Sequence, residues 1–150
     1  RNKEVNRVEA WVAEAVEAGA QVLCGGKRLT DSCYSPTVIL NPPENCRVST
    51  HEIFGPVISV YDKKSMDDAI FQANSLPFAF QASVFSNDYA EIMDGFNRLD
   101  ASAIMVNDHS AFRVDWMPFA GRKSSGLGVG GIPHTIEEMS QSKMAVLSSN

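Results

Sequence analysis

Apolar positions recur at helical spacing at the start of the chain. From Asn2 onward Val5, Val8, Trp11, Val12, Ala15 and Val16 share one face, acids lie opposite, and Gly19 stands where a helix C′ glycine belongs. An amphipathic helix ending just before Gly19 is predicted. The period then shortens. Gln21-Val22-Leu23-Cys24 reads as a short strand closed by Gly25-Gly26, residues 27–32 as a polar loop, and residues 34–40 as a second β-rich run bounded by Asn41-Pro42-Pro43. Val57-Ile58-Ser59-Val60-Tyr61 makes another strand, and Ser65 with Asp68 resembles a capping box opening a helix over residues 65–74. The order then repeats, with a strand over residues 80–85, Asn87 or Asp88 capping a helix to about Leu99, and a strand over residues 102–107. Residues 135–140 read as a short helix and residues 143–147 as a terminal strand.

Strands alternating with helices of about ten residues predict an α/β fold of parallel βαβ units, joined by right-handed crossovers. In such folds ligands gather at the carboxyl ends of the strands. Residues 107–123 begin at one such end, so an active-site loop is expected there.

Composition narrows the function classes. A chain of 150 residues buries roughly 70% of its unfolded surface, enough for one ordinary domain. The formal net charge is −5, with no basic run and no basic patch interleaved with aromatics, which argues against nucleic acid or an anionic membrane as partner. No apolar stretch approaches the roughly 20 residues that span a bilayer, and the N-terminus reads as a charged helix rather than a signal peptide, so a cytoplasmic protein is expected. Cys24, Cys33 and Cys46 are odd in number and lack C-x-x-C spacing, which speaks against a disulfide framework or structural zinc. None has a base or a helix N-terminus in its local sequence to make a reactive thiolate. Gly126 to Gly131 spells G-x-G-x-x-G, yet no strand is predicted to lead into it, Pro133 follows at once, and the chain ends before an acidic ribose ligand could occur. We read it as a loop that uses backbone freedom.

The candidate chemistry lies in His51-Glu52-Ile53-Phe54-Gly55-Pro56-Val57. If Glu52 to Phe54 are extended, side chains two apart point to the same face, and a carboxylate and a flat ring can grip one polar, planar molecule. A solvated loop acid at Glu52 and a core phenylalanine at Phe54 fit these residues equally well.

Glu52-Ile53-Phe54-Gly55-Pro56-Val57 resembles the glutamate-containing signature of the NAD(P)-dependent aldehyde dehydrogenase superfamily. Pro118-Phe119-Ala120-Gly121-Arg122-Lys123-Ser124-Ser125-Gly126 resembles its Pro-Phe-Gly-Gly-x-Lys-x-Ser-Gly segment. The two stand in the right order about the right distance apart, and weaker similarity runs from end to end of the chain. The resemblance covers only the C-terminal part of such an enzyme, and Arg1 is not a translational start, so it implies a truncated chain.

The resemblance carries expectations about domains, chemistry and site residues. Residues 1–123 would be part of the catalytic domain, and residues 124–150 a C-terminal loop, short helix and oligomerisation strand of a homodimer or homotetramer. The full enzyme would oxidise an aldehyde to a carboxylic acid with NAD or NADP, through a thiohemiacetal and thioester on cysteine. The cysteine, in a Gly-Gln-x-Cys context not found here, would lie upstream of Arg1 with the base glutamate, the oxyanion-hole asparagine and the cofactor domain, so the chain alone is expected to be inactive. Glu52 matches the residue that bonds the nicotinamide ribose hydroxyls and Phe54 the one that packs near the ring. His51 stands where the family often has another acid, and is taken as solvated or structural.

Phe119 matches an aromatic of the aldehyde tunnel, although a core phenylalanine beneath a turn is the alternative. Residues 107–117 correspond to the substrate-anchoring loop, apolar in many members, and here they carry Arg113. A guanidinium at that mouth suggests an aldehyde bearing a carboxylate, phosphate or phosphonate, while pairing with Asp115 or Asp108 is the competing reading. Ala120-Gly121 replaces the family's Gly-Gly, and Lys123 is expected to brace the loop or an interface rather than act as a base. Two other functions stay open: a non-catalytic α/β assembly module, and an acyl-phosphate or acyl-thioester reductase of the same superfamily. The complete Glu-Ile-Phe-Gly-Pro-Val motif favours the aldehyde oxidiser.

Overall fold

In the computed structural model, which describes residues 1–148, the N-terminal apolar stripe folds as α1, Asn2–Glu17. Val5, Val8, Val12 and Ala15 are buried, Trp11 is half-buried, and Val16 at the margin of the stripe is exposed. The helix stops in a Schellman arrangement, with Gly19 N donating to Val16 O at 3.0 Å and Ala20 N to Ala15 O at 2.9 Å. The chain divides into two compact units, one ending at Lys64 and the other beginning at Ser65.

In the first unit β1 (Gln21–Cys24) runs antiparallel to β4 (Thr37–Leu40), which runs parallel to β5 (Val57–Val60). The central strand β4 buries Thr37 and Ile39, and Ile39 is fully enclosed. Ile39 joins Val5, Val8, Val12, Ala15, Ala20, Tyr34 and Cys46 in one core, with Val48, Ile53 and Val57 packed at its edge.

Two expectations are corrected here. Residues 27–32 are not simply a polar loop, because β2 (Arg28–Thr30) pairs with β3 (Cys33–Tyr34) across a turn at residues 31–32. The β-rich run over residues 34–40 is broken at Pro36, which has no N–H to give a ladder. A single helical turn, α2 (Arg47–Thr50), also carried no local signal. Its N-cap residue, Cys46, makes no side-chain cap, and the Arg47 amide donates instead to Glu14 Oε1 of α1 at 3.1 Å.

In the second unit the local signals are clearer. Ser65 caps α3 (Met66–Asn74) by accepting from Asp68 N at 3.1 Å. Asp88 caps α4 (Tyr89–Arg98) by accepting from Ala90 N at 2.7 Å. Strand β7 (Gln81–Val84), α4 and β8 (Ala103–Val106) form the expected parallel βαβ unit, in register from Gln81 opposite Ala103 to Val84 opposite Val106. The expected strand over residues 80–85 is preceded by a separate short strand, β6 (Phe78–Ala79), antiparallel to β9 (Arg122–Lys123), which was not expected. Helix α5 (Ile132–Glu138) begins before Thr135, since Pro133 in the first turn has no N–H to waste.

The parallel pairs end alike. Asn41 after β4 and Asn107 after β8 both adopt a left-handed backbone, with φ of 49° and 54°. Asn41 Oδ1 accepts from Asp62 N at 2.8 Å, and Asn107 Oδ1 accepts from Ser86 N at 2.9 Å. Asparagine tolerates this conformation better than most residues and ties the neighbouring strand's exit to its own.

The expected strand over residues 143–147 is not formed, and residues 141–148 carry no regular structure. A β-ladder needs a partner, and the described residues offer none at this segment. Among the described residues no helix is long and apolar enough to cross a membrane.

Candidate functional site

Each unit presents one of the two candidate surfaces. In the first, the path to Glu52 starts at α2, whose C-cap is His51, extended at φ −127° and ψ 154°, with its N–H donating to Arg47 O at 3.0 Å. Glu52 follows, exposed, and its carboxylate has no hydrogen-bond or ion-pair partner among the described residues. Ile53 turns inward against the core. Phe54 then takes a left-handed φ of 43°, and the residue is 78% exposed.

The segment is therefore not extended through Phe54, and a strand's alternation does not set its two side chains. A turn held from both sides does so. At Gly55 a Cβ would lie 2.7 Å from Val8 Cγ2, so only glycine lets this backbone press against α1 without displacing Val8. Beyond it, Thr37 N donates to Pro56 O at 2.8 Å and hands the chain to β5. Both Glu52 and Phe54 face solvent, which removes the core reading of Phe54. A strained non-glycine residue that holds an apolar ring in water is the kind of feature that accompanies a ligand site. A cavity of about 270 Å³ opens beside Phe54, with Glu4, Val8, Cys33, Tyr34 and Pro56 among its walls.

His51 is exposed yet not free. Its ring meets Trp11 edge-on at 5.7 Å, and Nδ1 lies 2.8 Å from Thr50 Oγ1. Trp11 also carries the guanidinium carbons of Arg7 and Arg47 at 4.8 and 5.6 Å from its ring. Arg47 in turn pairs with Glu14. Hydrogen bonds from the Arg47 amide and then from its guanidinium hold the Glu14 carboxyl below its ordinary range. This cluster was not foreseen; its only trace in the sequence is Arg7 one helical turn before Trp11.

In the second unit Phe119 is 39% exposed and sits in a two-way backbone bridge with Gly130, at 2.9 and 2.7 Å. Its ring meets Phe80 edge-on at 4.9 Å, and the Arg113 guanidinium carbon lies 4.2 Å from its centroid. Arg113 makes no ion pair with Asp108 or Asp115; Asp108 instead accepts from His109 N at 2.7 Å. A cavity of about 390 Å³ is lined by Arg113, Asp115, Gly131, Ile132, Thr135 and Ile136. A cation on an aromatic face beside an open cavity retains its hydrogen-bond donors for an anion.

The Phe119 loop is braced as expected of Lys123. Its ammonium donates to Asn74 O at 2.9 Å and Leu76 O at 3.2 Å, and pairs with Asp100 at 3.0 Å. At Gly121 a Cβ would lie 2.6 Å from the Ser125 carbonyl carbon. The glycine retained in Ala120-Gly121 is therefore the one that the close backbone approach requires. The glycine run 126–131 is preceded by β9, which corrects the expectation that no strand leads into it. Two of its amides are engaged, Gly130 N with Phe119 O at 2.7 Å and Val129 N with Glu138 Oε1 at 3.2 Å.

Cys24 and Cys33 are exposed free thiols and Cys46 is buried; burial, and then the nearby Glu14 charge, push the Cys46 thiol up. Among the described residues no His, Cys, Asp and Glu side chains cluster to hold a metal.

Comparison with known proteins adds a family to this geometry. The model of the aldehyde dehydrogenase family matches residues 1–145. The 3-sulfolactaldehyde dehydrogenase of Priestia aryabhattai is 39% identical over 148 residues, 99% of this chain but 31% of that protein. The crystal structure of aldehyde dehydrogenase 21 from Physcomitrella patens, in complex with its reaction product succinate, superposes with a TM-score of 0.88 at 30% identity, over 92% of this chain and 28% of that one. Glyceraldehyde-3-phosphate dehydrogenase from Methanocaldococcus jannaschii, complexed with NADP, gives a TM-score of 0.86 at 32% identity, over 93% of this chain and 30% of its own. The chain thus spans about a third of the length of these relatives.

Proposed function

The chain belongs to the aldehyde dehydrogenase family, and from that premise we propose that it is the C-terminal part of an NAD(P)-dependent enzyme oxidising an acid-bearing aldehyde to a carboxylic acid. The nucleophilic cysteine, base glutamate and oxyanion-hole asparagine would be supplied from outside residues 1–150.

Glu52 and Phe54 carry this reading. An exposed carboxylate with no partner among the described residues, two positions before an aromatic ring held in solvent by a left-handed backbone, suits a ribosyl-linked planar ring. Glu52 accepts from two vicinal ribose hydroxyls, and Phe54 offers an apolar wall to the nicotinamide. Bound NAD or NADP would supply the hydride acceptor for the oxidation. The contribution of Glu52 and Phe54 is orientation; neither moves a proton.

On the substrate side, Phe119 walls the aldehyde channel and Arg113 receives the anionic end of the substrate. Three relatives are named for anionic compounds, sulfolactaldehyde, succinate and glyceraldehyde-3-phosphate, which supports an acidic substrate, whereas others are named for the uncharged lactaldehyde. Residues 124–150 serve assembly into a homodimer or homotetramer: Met144, Val146 and Leu147 are exposed and gain a ladder by pairing with another subunit. The exposed free thiols of Cys24 and Cys33 suit the reducing cytoplasm.

The test uses the longer polypeptide that contains this chain. Glu52→Gln should raise KM for NAD(P)+ by on the order of tenfold, the scale of a lost charged hydrogen bond, with little change in aldehyde KM. Arg113→Leu should do the reverse, raising KM for acidic aldehydes by a similar factor and sparing neutral ones. Equal effects on both aldehyde classes would remove Arg113 from the substrate site. Preferred reduction of an acyl phosphate or thioester would replace the oxidative assignment.

A further inference from the structure

We infer that Trp11, acting through His51, is a positioning residue for Glu52: α1 sets where the cofactor-holding carboxylate stands, although among the described residues no side chain of α1 forms a hydrogen bond or ion pair with it. The inference rests on the reading of Glu52 given above.

Among the described residues Glu52 has no hydrogen-bond or ion-pair partner, so its position comes from its chain neighbours. On the C-terminal side, Ile53 packs on the core and Gly55 presses on Val8 of α1. On the N-terminal side His51 is the last anchored residue, and its ring rests edge-on against Trp11 at 5.7 Å. The ring is also fixed in rotation. Thr50 Oγ1 gives its proton to Cys46 O at 3.0 Å, which leaves the 2.8 Å contact for His51 Nδ1–H to donate. Trp11 is itself held by the guanidiniums of Arg7 and Arg47, and Arg47 is locked to Glu14 through both its amide and its side chain. Glu14, Trp11 and Val8 all belong to α1, so one helix braces both flanks of Glu52. Removing a brace from a group that orients a reactant weakens binding by up to the energy of the bracing interaction itself.

The experiment compares Trp11→Leu, Trp11→Phe, His51→Ala and Glu52→Gln in the full-length protein, with Kd for NAD+ and NADP+ by calorimetry, steady-state constants and the thermal midpoint. Trp11→Leu should weaken the preferred cofactor about three- to tenfold, the scale of an aromatic pair. Aldehyde KM should stay within about twofold, and Trp11→Phe, which restores an aromatic face, should recover most of the affinity. His51→Ala, at an exposed helix end, should reproduce the weakening without a fall in thermal midpoint, so the inference stays testable if Trp11→Leu folds poorly. Weakening by Glu52→Gln but not by Trp11→Leu or His51→Ala overturns the positioning role alone. No weakening by Glu52→Gln overturns the cofactor reading beneath it. Loss of affinity that tracks thermal midpoint across the Trp11 and His51 variants, without rescue by Trp11→Phe, reduces Trp11 to a stability residue and overturns the inference.

Discussion

Up to Lys64 the chain buries Val5, Val8, Val12, Ala15, Ala20, Tyr34, Ile39 and Cys46 in one cluster, and the Glu52 motif lies directly on it. From Ser65 onward the buried apolar side chains among the described residues are Ile70, Val84 and Met105, while Phe71, Phe78, Phe85, Tyr89 and Phe96 stay exposed. The second unit holds its Phe119 loop by polar ties instead: Lys123 to two carbonyls and Asp100, Ser125 Oγ accepting from Ala79 N at 2.9 Å, and the Phe119–Gly130 bridge. One site takes its geometry from close packing, which is insensitive to solvent. The other takes it from side chains bonded to backbone, where each tie contributes modestly and its removal leaves a group unpaired.

The sharpest way to break the contrast is to hollow the first core. Ile39 is fully enclosed at the centre of β4, and Ile39→Ala should destabilise by about 2–5 kcal/mol. Hydrogen exchange on the full-length protein should show reduced protection through β1, β4 and β5. Uniform reduction across both units would mean that they unfold as one and would remove the contrast.

A smaller effect is expected from Lys123→Met, about 1–2 kcal/mol, since the unpaired carbonyls lie near solvent and recover water. Protection should fall at Asn74–Ala79 and in the Phe119 loop, leaving β7–β8 unchanged. A change centred on β7–β8 would mean that Lys123 supports the βαβ unit and not the loop.

The smallest effect concerns pH. Glu14 has a lower pKa folded than unfolded, so its contribution is complete above the ordinary carboxylate range and disappears as pH falls through that range and below the folded value. After correction for intrinsic exchange, Arg47 amide protection should drop on acidification, and Glu14→Gln should flatten the profile. An unchanged profile in Glu14→Gln would assign the acid sensitivity to another carboxylate.

Thiol reactivity sharpens the picture of the first core. Cys24 and Cys33 should alkylate rapidly at neutral pH and Cys46 only under denaturant, because it is buried with its thiol pushed up. Mass spectrometry of the modified peptides reads the order directly, and early labelling of Cys46 would show that the core opens readily.

What could be read from the residues depended on the range of the interaction. The Val5–Val8–Val12–Ala15 stripe, the caps at Ser65 and Asp88 and the β7–α4–β8 order rest on interactions within a few residues, and local spacing displays them. Helix α2 starts on a carboxylate from Glu14, thirty-three positions away in the chain. Strand β9 exists through β6, more than forty residues earlier. The β2–β3 hairpin is local but short, and only its Asp31-Ser32 turn marked it.

At the candidate site the same division holds. The residue types at Glu52, Phe54, Arg113, Phe119 and Lys123 suggested a candidate chemistry because carboxylates, rings and cations have few uses in such motifs. Their settings came from elsewhere: Phe54 turned left-handed against α1, Arg113 laid on Phe119 in place of an aspartate, and His51 docked on Trp11. The sequence by itself determined the main helices, the βαβ order, the family signature and the candidate groups, since periodicity and motif are properties of neighbouring residues. Only the tertiary structure decided which groups face solvent without a partner and which helix braces Glu52, because those depend on interactions between residues far apart in the chain.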